Sequence, residues 1–289
     1  MMHAMLVIDC GSGGTRVWRA VGERLSWPGG SRAPVLSECC RTEEGRAAFA
    51  AGLGSLAGSE STCFVGATAG MRSALESGAI TEAEVDLLRK QLPSGCELQV
   101  LSPLDEARLE LRAMRQAEAS AAMLSMGGKS MQLGREDALH SLPFAMHLGF
   151  GILTGHRDRA LSWPERLALV SATYERLTAE AKLRQNIPTI EGLVVGVTDT
   201  VQVAAQLGVL NKVMAAEQFL QVLAKAAAQF AAQDNDADLK REEHVLAARI
   251  LLLQAVISQL LLPSAQIIFR DDFTVTWTAG FFLERAAGQ

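Results

Sequence analysis

Residues 5–20 read MLVIDCGSGGTRVWRA. An apolar run from Met5 to Ile8 ends on an acid, Asp9. Then come Gly11, Ser12, Gly13, Gly14 and Thr15. A turn this rich in glycine lets backbone N–H groups approach an anion closely, because few Cβ atoms intervene. A carboxylate next to a phosphate is repelled unless a cation lies between them, and Mg²⁺ held through water satisfies both. A second stretch, LSMGGKSMQLG at residues 124–134, repeats the plan of strand, glycine turn and strand. Either turn alone reads as an ordinary hairpin that uses glycine for positive φ. The repetition favours a pair of phosphate loops.

The elements that position these turns can be read from periodicity. Leu6–Asp9 and Thr15–Ala20 form a predicted hairpin, and Ala121–Met126 with Met131–Gly134 forms another. Short strands are expected at Cys63–Gly66, Leu98–Leu101, Ile190–Val197 and Ala265–Phe269. Helices are expected at Thr81–Leu92, Leu104–Ala119, Leu167–Ala181, Ala215–Phe230, Leu239–Leu262 and Thr278–Ala286. Thr81 with Glu84 reads as a capping box, and Ser162 followed by Pro164 as a helix start. Gln233–Asp238 reads as a polar loop. The alternation predicts an α/β fold in two lobes, with a boundary near residues 116–121. The lobes are therefore residues 1–118 and 119–289, with the final helix a candidate to pack back on the first lobe.

Composition narrows the classes. The chain has 289 residues, 27 Lys and Arg against 32 Asp and Glu, and a net charge of −5. That balance offers no basic footprint for nucleic acid. Val245–Leu262, the longest apolar run, is interrupted by Arg249, Gln254, Ser258 and Gln259, and no membrane partner is expected. The five cysteines, Cys10, Cys39, Cys40, Cys63 and Cys96, form no CxxC pair and no zinc spacing. With no signal peptide read at the start, they imply reduced thiols and a cytoplasmic location. The histidines fit no metal spacing. His156-Arg157-Asp158-Arg159 lacks the neighbours of a kinase loop. Asp105 reads as a helix-dipole acid, and the oligomeric state is not legible.

Five blocks carry a resemblance. IDCGSGGTRVW (8–18), GATAGMR (66–72), SPLDEARLEL (102–111), LSMGGKSMQL (124–133) and WTAGFFL (277–283) occur in this order. They resemble the motifs of the apyrases (nucleoside triphosphate diphosphohydrolases) and of the sister exopolyphosphatase/pppGpp-phosphatase family. GATAGMR is the most apyrase-like block, while DEAR and SLPF (141–144) look more like the exopolyphosphatases. Val195–Asp199 also resembles an exopolyphosphatase strand-to-turn stretch, and reads equally well as a buried strand end. The resemblance implies a two-lobed actin-like ATPase (ribonuclease H-like) fold with a phosphate cleft between the lobes. It covers most of the chain and is weakest from 155 to 265.

Residue by residue, the resemblance implies roles. Asp9 would order the water shell of Mg²⁺ or Ca²⁺. Gly11, Ser12, Gly13, Gly14, Thr15 and Arg16 would form the first phosphate loop, and Gly127, Gly128, Lys129, Ser130 and Gln132 the second. Thr68 and Arg72 would lie near the terminal phosphate, and Glu106 would be the base that takes a proton from the attacking water. One departure stands out: Ser125 occupies a place where the family has an aspartate, with Lys129 beside it in the loop. The reading is a metal-dependent phosphohydrolase acting on the terminal phosphate of nucleoside tri- or diphosphates. The alternatives are an exopolyphosphatase or guanosine polyphosphate phosphatase, and a catalytically impaired nucleotide or phosphate binder.

Overall fold

The computed structural model describes residues 5–11, 14–21, 24–26, 35–57, 62–155, 161–233, 239–271 and 275–287. Packing divides the chain into two compact units. Unit 1 is Met1–Arg112 with Thr276–Gln289, and unit 2 is Ala113–Val275. The division falls just before the 118/119 boundary read from the sequence.

Unit 1 begins with an antiparallel meander: β1 (Met5–Gly11), β2 (Gly14–Val21) and β3 (Arg24–Ser26). Helices α1 (Leu36–Cys39) and α2 (Glu43–Ala57) precede β4 (Thr62–Ala67). There follow α3 (Ala69–Glu76), α4 (Glu82–Gln91), β5 (Cys96–Val100) and α5 (Pro103–Arg115), whose last residues belong to unit 2. The strand order is β3-β2-β1-β4-β5, with β4 parallel to β1 and to β5. The five cysteines are free thiols in this unit, and Cys63 stands opposite Cys96 across β4 and β5.

Unit 2 repeats that plan. A meander of β6 (Ala122–Met126), β7 (Met131–Arg135) and β8 (Ala138–Leu142) is followed by α6 (Met146–Gly155) and α7 (Trp163–Arg184). Next come β9 (Leu193–Thr198), α8 (Asp199–Gln206), β10 (Met214–Ala215), α9 (Ala216–Ala231), α10 (Arg241–Leu260) and β11 (Gln266–Phe269). The strand order is β10-β11-β9-β6-β7-β8, with β9 parallel to both β6 and β11. A final helix, α11 (Trp277–Ala287), belongs to unit 1.

Local chemistry explains the element starts. Thr81 Oγ1 accepts from the Glu84 N–H at 3.3 Å, while the Thr81 N–H donates to Glu84 Oε2 at 2.7 Å. This closes a capping box at α4. At α7 the Ser162 N–H donates to Glu165 Oε2 at 2.6 Å. By length and composition α10 is apolar enough to cross a membrane, where the sequence reading saw an interrupted run. However, 61% of that stretch is buried within the structure. Its buried residues, Leu252, Leu253, Val256 and Ile257 among them, belong to the unit 2 core, which also takes in Trp163, Tyr174 and Phe219.

Tyr174 makes α6 possible. Its ring is fully buried, and its hydroxyl accepts from the Gly149 N–H at 2.8 Å and donates to the Ala145 carbonyl at 2.9 Å. Burial pushes the phenol well above its usual range. A Cβ at Gly149 would lie 2.4 Å from that hydroxyl, so only glycine fits there. Tyr174→Phe leaves both backbone groups without this partner. It is expected to lower the stability of the chain by about 1–3 kcal/mol, read as a shifted midpoint in urea unfolding.

Candidate functional site

The first half of the site follows from strand alternation. Leu6, Ile8 and Cys10 point into one core of unit 1, and Val7 into a second cluster with Phe64, Trp277 and Phe281. Period two therefore puts Asp9 on the same face as Val7. There the Trp277 indole N–H donates to Asp9 Oδ1 at 3.1 Å, across a sequence separation of 268. Arg16, the register partner of Asp9 on β2, reaches Oδ2 at 3.3 Å. Burial raises the Asp9 carboxyl above its usual range, and the Trp277 and Arg16 contacts oppose that rise.

Trp277 is itself fixed by packing. A Cβ on Gly66 would lie 2.2 Å from the indole ring, so the glycine of GATAGMR is the seat of this tryptophan. Phe64 meets Trp277 edge-on at 6.2 Å and stacks on Phe281 at 3.8 Å. Gly280 brings α11 onto α5, since a Cβ there would lie 1.7 Å from the Leu109 carbonyl oxygen.

Glu106 lies in the first turn of α5, just beyond β5. Ser102 starts that helix, its hydroxyl accepting from the Asp105 N–H at 3.1 Å. Asp105 thus serves the helix start and pairs with Arg108. Glu106 turns the other way: Oε2 accepts from both terminal nitrogens of Arg72 at 3.2 Å. Arg72 also donates to the Leu101 carbonyl at 2.6 Å, which fixes the guanidinium in place. Burial raises the Glu106 carboxyl, Arg72 holds it down, and the Asp9 charge pushes it up. Thr68 is buried between β4 and α3, and its N–H donates to the Cys10 carbonyl at 3.2 Å. In unit 1 the fold thus gathers Asp9, Arg16, Thr68, Arg72 and Glu106 at the strand ends. Gly11 and Gly14 close the hairpin with Thr15 beside them. Ser12 and Gly13 lie outside the described residues, as do His156–Arg159.

In unit 2 the second hairpin is closed by the Gly127 N–H donating to the Ser130 carbonyl at 3.0 Å. Ser125 stands opposite Gln132, whose amide donates to Ser130 Oγ at 2.9 Å. Ser125 Oγ lies 3.1 Å from Thr198 Oγ1. The same Thr198 oxygen accepts from the Met126 N–H at 3.0 Å. Thr198 has φ 57° and ψ −128°. That is a rare backbone for a β-branched residue and costs on the order of 1–3 kcal/mol. Asp199 follows it and binds Arg249 at 2.5 Å.

Two participants are not legible in the sequence, and a third only in part. Trp277 stands there as the first residue of the WTAGFFL block, yet its N–H holds Asp9. Thr198 lies in a stretch that reads equally as an exopolyphosphatase-like turn and as a buried strand end, and its hydroxyl meets Ser125. His147 read as ordinary, yet its N–H donates to the Gly128 carbonyl at 2.8 Å and its ring lies against Gly128. For Trp277 the available signal was its pairing with the glycine of GATAGMR.

The residues fit a divalent ion thinly. Among the described residues there is no group of three or more His, Cys, Asp or Glu side chains able to hold one. Asp9 is a single carboxylate with each oxygen already accepting a hydrogen bond. Glu106 is paired with Arg72, and Ser125 brings no charge. This donor set suits only a hydrated ion that arrives with a phosphate ligand.

No family model and no curated protein matches the chain. Solved structures do. A Ppx/GppA family member from Aquifex aeolicus superposes with a TM-score of 0.66 at 15% identity, over 99% of this chain and 98% of that one. An exopolyphosphatase-like protein gives 0.60 at 14% identity, over 99% of each chain. A nucleoside triphosphate hydrolase from Neospora caninum gives 0.59 at 12% identity, over 98% of this chain and 92% of its own. The chain shares their fold. At these identities the likeness speaks for the α/β architecture read from the sequence.

The charges around Glu106 make a two-signed expectation. Arg72→Gln should raise the Glu106 carboxyl pKa further, because the cation favouring its ionised form is gone. Asp9→Asn should lower it. A ¹³C NMR titration of the Glu106 carboxyl in both variants checks the two signs.

Proposed function

We propose that the chain is a phosphoric anhydride hydrolase that removes the terminal phosphate of a phosphate chain by in-line attack of water. The observation that carries this reading is the half-buried Glu106 carboxyl, clamped by Arg72 at the strand ends of unit 1 that also carry Asp9. A carboxylate whose pKa is raised above its usual range is, in its ionised form, a better proton acceptor. Glu106 takes a proton from water, and the water oxygen bonds to phosphorus. The bridging P–O bond breaks, and its electrons leave with the shortened chain. Phosphoryl transfer needs positioning and charge neutralisation and little covalent help. Arg72 and Thr68 supply these near the reacting phosphate, and the backbone of the first glycine loop cradles it. Asp9 is the carboxylate that would hold a hydrated divalent ion, Mg²⁺ or Ca²⁺, and such an ion would neutralise charge on the phosphates.

The fold shared with Ppx/GppA proteins over nearly the whole chain favours inorganic polyphosphate or a guanosine polyphosphate as substrate. The likeness to a nucleoside triphosphate hydrolase and the GATAGMR and WTAGFFL blocks keep nucleoside tri- and diphosphates as the second substrate class. A phosphate binder without turnover is the reading that Ser125 favours, since its hydroxyl is engaged by Thr198.

Phosphate release from polyphosphate, pppGpp, ATP and ADP, with each metal, separates these readings. Glu106→Gln is expected to reduce release by about 10²–10⁴-fold. Release that survives this substitution, or no release from any substrate, overturns the hydrolase reading. The acid limb of the rate profile should lie above about pH 4.3, the usual glutamate value. It rises with pH because the base must be ionised, and Arg72→Gln should move it upward.

A further inference from the structure

Unit 1 holds all five cysteines, and two of them are neighbours by backbone register. Cys63 on β4 and Cys96 on β5 stand directly opposite each other in a parallel pair. The Cys63 N–H donates at 3.0 Å to the carbonyl of Gly95, the residue before Cys96, which fixes that register. Adjacent strands run about 4.8 Å apart, and a disulfide accepts Cα separations of about 4.4–6.8 Å. Both side chains project to the same face: Cys63 belongs to the core that takes in Val65 and Leu98, and Cys96 packs against it. Cys96 is also the first residue of β5, the strand at the sheet edge. It follows Ser94 and Gly95, both exposed, and Gly95 has φ 84°. The small approach that bond formation needs therefore falls on the end of an edge strand.

The pair is asymmetric. Cys63 is 2% exposed, whereas Cys96 is partly open to solvent. Burial and the adjoining Cys96 thiol both push the Cys63 thiol above its usual range. An oxidant in solution thus meets Cys96 first, with a second sulfur already beside it. No other two cysteines are register partners among the described residues. Cys39 and Cys40 end and follow α1, and side chains adjacent in a helix do not face each other. Cys10 stands opposite Ala67, about 13 Å along β4 from Cys63, and its sulfur accepts from the Thr15 hydroxyl at 3.7 Å.

We propose that Cys63 and Cys96 form a reversible disulfide when the folded protein meets hydrogen peroxide, with Cys96 the attacked thiol and Cys63 the resolving one. The Cys96 sulfur attacks a peroxide oxygen and the O–O bond breaks, leaving a sulfenic acid and one water. The Cys63 sulfur then attacks the Cys96 sulfur. An S–S bond forms, the S–O bond breaks, and hydroxide leaves with the Cys63 proton as a second water. The two thiols have lost two electrons, and the peroxide has been reduced to two waters. An added dithiol returns the pair to thiols. The bond closes the segment from β4 through α3 and α4 to β5, which carries Thr68 and Arg72. It clamps the part of unit 1 that presents those residues, whatever substrate they serve.

Peroxide treatment of the full native chain, then alkylation of the remaining thiols and peptide mass mapping, tests it. Two of the five thiols are expected to be lost, with the Cys63 and Cys96 peptides joined and lighter by two hydrogens. Dithiothreitol should restore both. In Cys63→Ser the sulfenic acid should persist on Cys96 and be trapped by dimedone. The map of the unsubstituted chain decides the pairing even where that variant fails to fold. The oxidised chain should unfold at a higher urea concentration than the reduced one, since a cross-link restricts the unfolded chain. Bonding of Cys96 to another cysteine, oxidation of Cys96 to a sulfinic acid with Cys63 still free, or five unreacted thiols overturns the proposal. A urea midpoint that does not rise overturns the clamping of the segment.

Discussion

The indole of Trp277 is the contact on which the unit 1 half of the site depends. Asp9 is an acid on an apolar strand, on the face that also carries Val7. Burial alone would favour its neutral form. The indole N–H gives one carboxylate oxygen a fixed partner, and the ring closes the apolar face around it. The ring can sit there only because position 66 has no side chain. An acid, a tryptophan and a glycine from three distant segments thus form one device. It explains why the first, second and fifth resemblance blocks occur together.

The two units share a strand plan and differ in their electrostatics. In each, a meander places a glycine turn at the end of its first strand, and two later strands, β4 and β5 or β9 and β11, run parallel to that strand. Unit 1 keeps carboxylates at its strand ends and balances them with Arg16 and Arg72. At its second hairpin unit 2 has a hydroxyl pair, Ser125 and Thr198, with Lys129 in the turn. The same strand plan thus carries different charge patterns.

What was legible in the sequence was whatever local chemistry determines. The hairpins announced themselves by apolar strands flanking glycine, and α4 and α7 by the side chains that cap them. Helix α6 did not. MHLGFGILTG holds three glycines and looks like a connection, yet it is helical because Gly149 meets a tyrosine hydroxyl from another helix. Helix α3 was hidden in a similar way, since GATAGMR reads as a motif before it reads as a strand running into a helix. In the site, Glu106 and Arg72 were legible through their blocks. Their pairing, both Arg72 terminal nitrogens on one Glu106 oxygen, was not, because it joins segments that no local pattern connects. The two readings of the stretch around Thr198 stayed open for a related reason: its hydroxyl finds its partners, Ser125 and Met126, on β6.

Unit 1 is discontinuous in the chain, and this has a consequence for synthesis. Chains leave the ribosome from the amino end, and domains generally fold as units as they emerge. All of unit 2 precedes α11. A nascent chain therefore has every residue of unit 2 available while β1 still lacks the helix that covers Val7 and holds Asp9. During that interval β1 waits on α11, with an apolar face and a carboxylate uncovered.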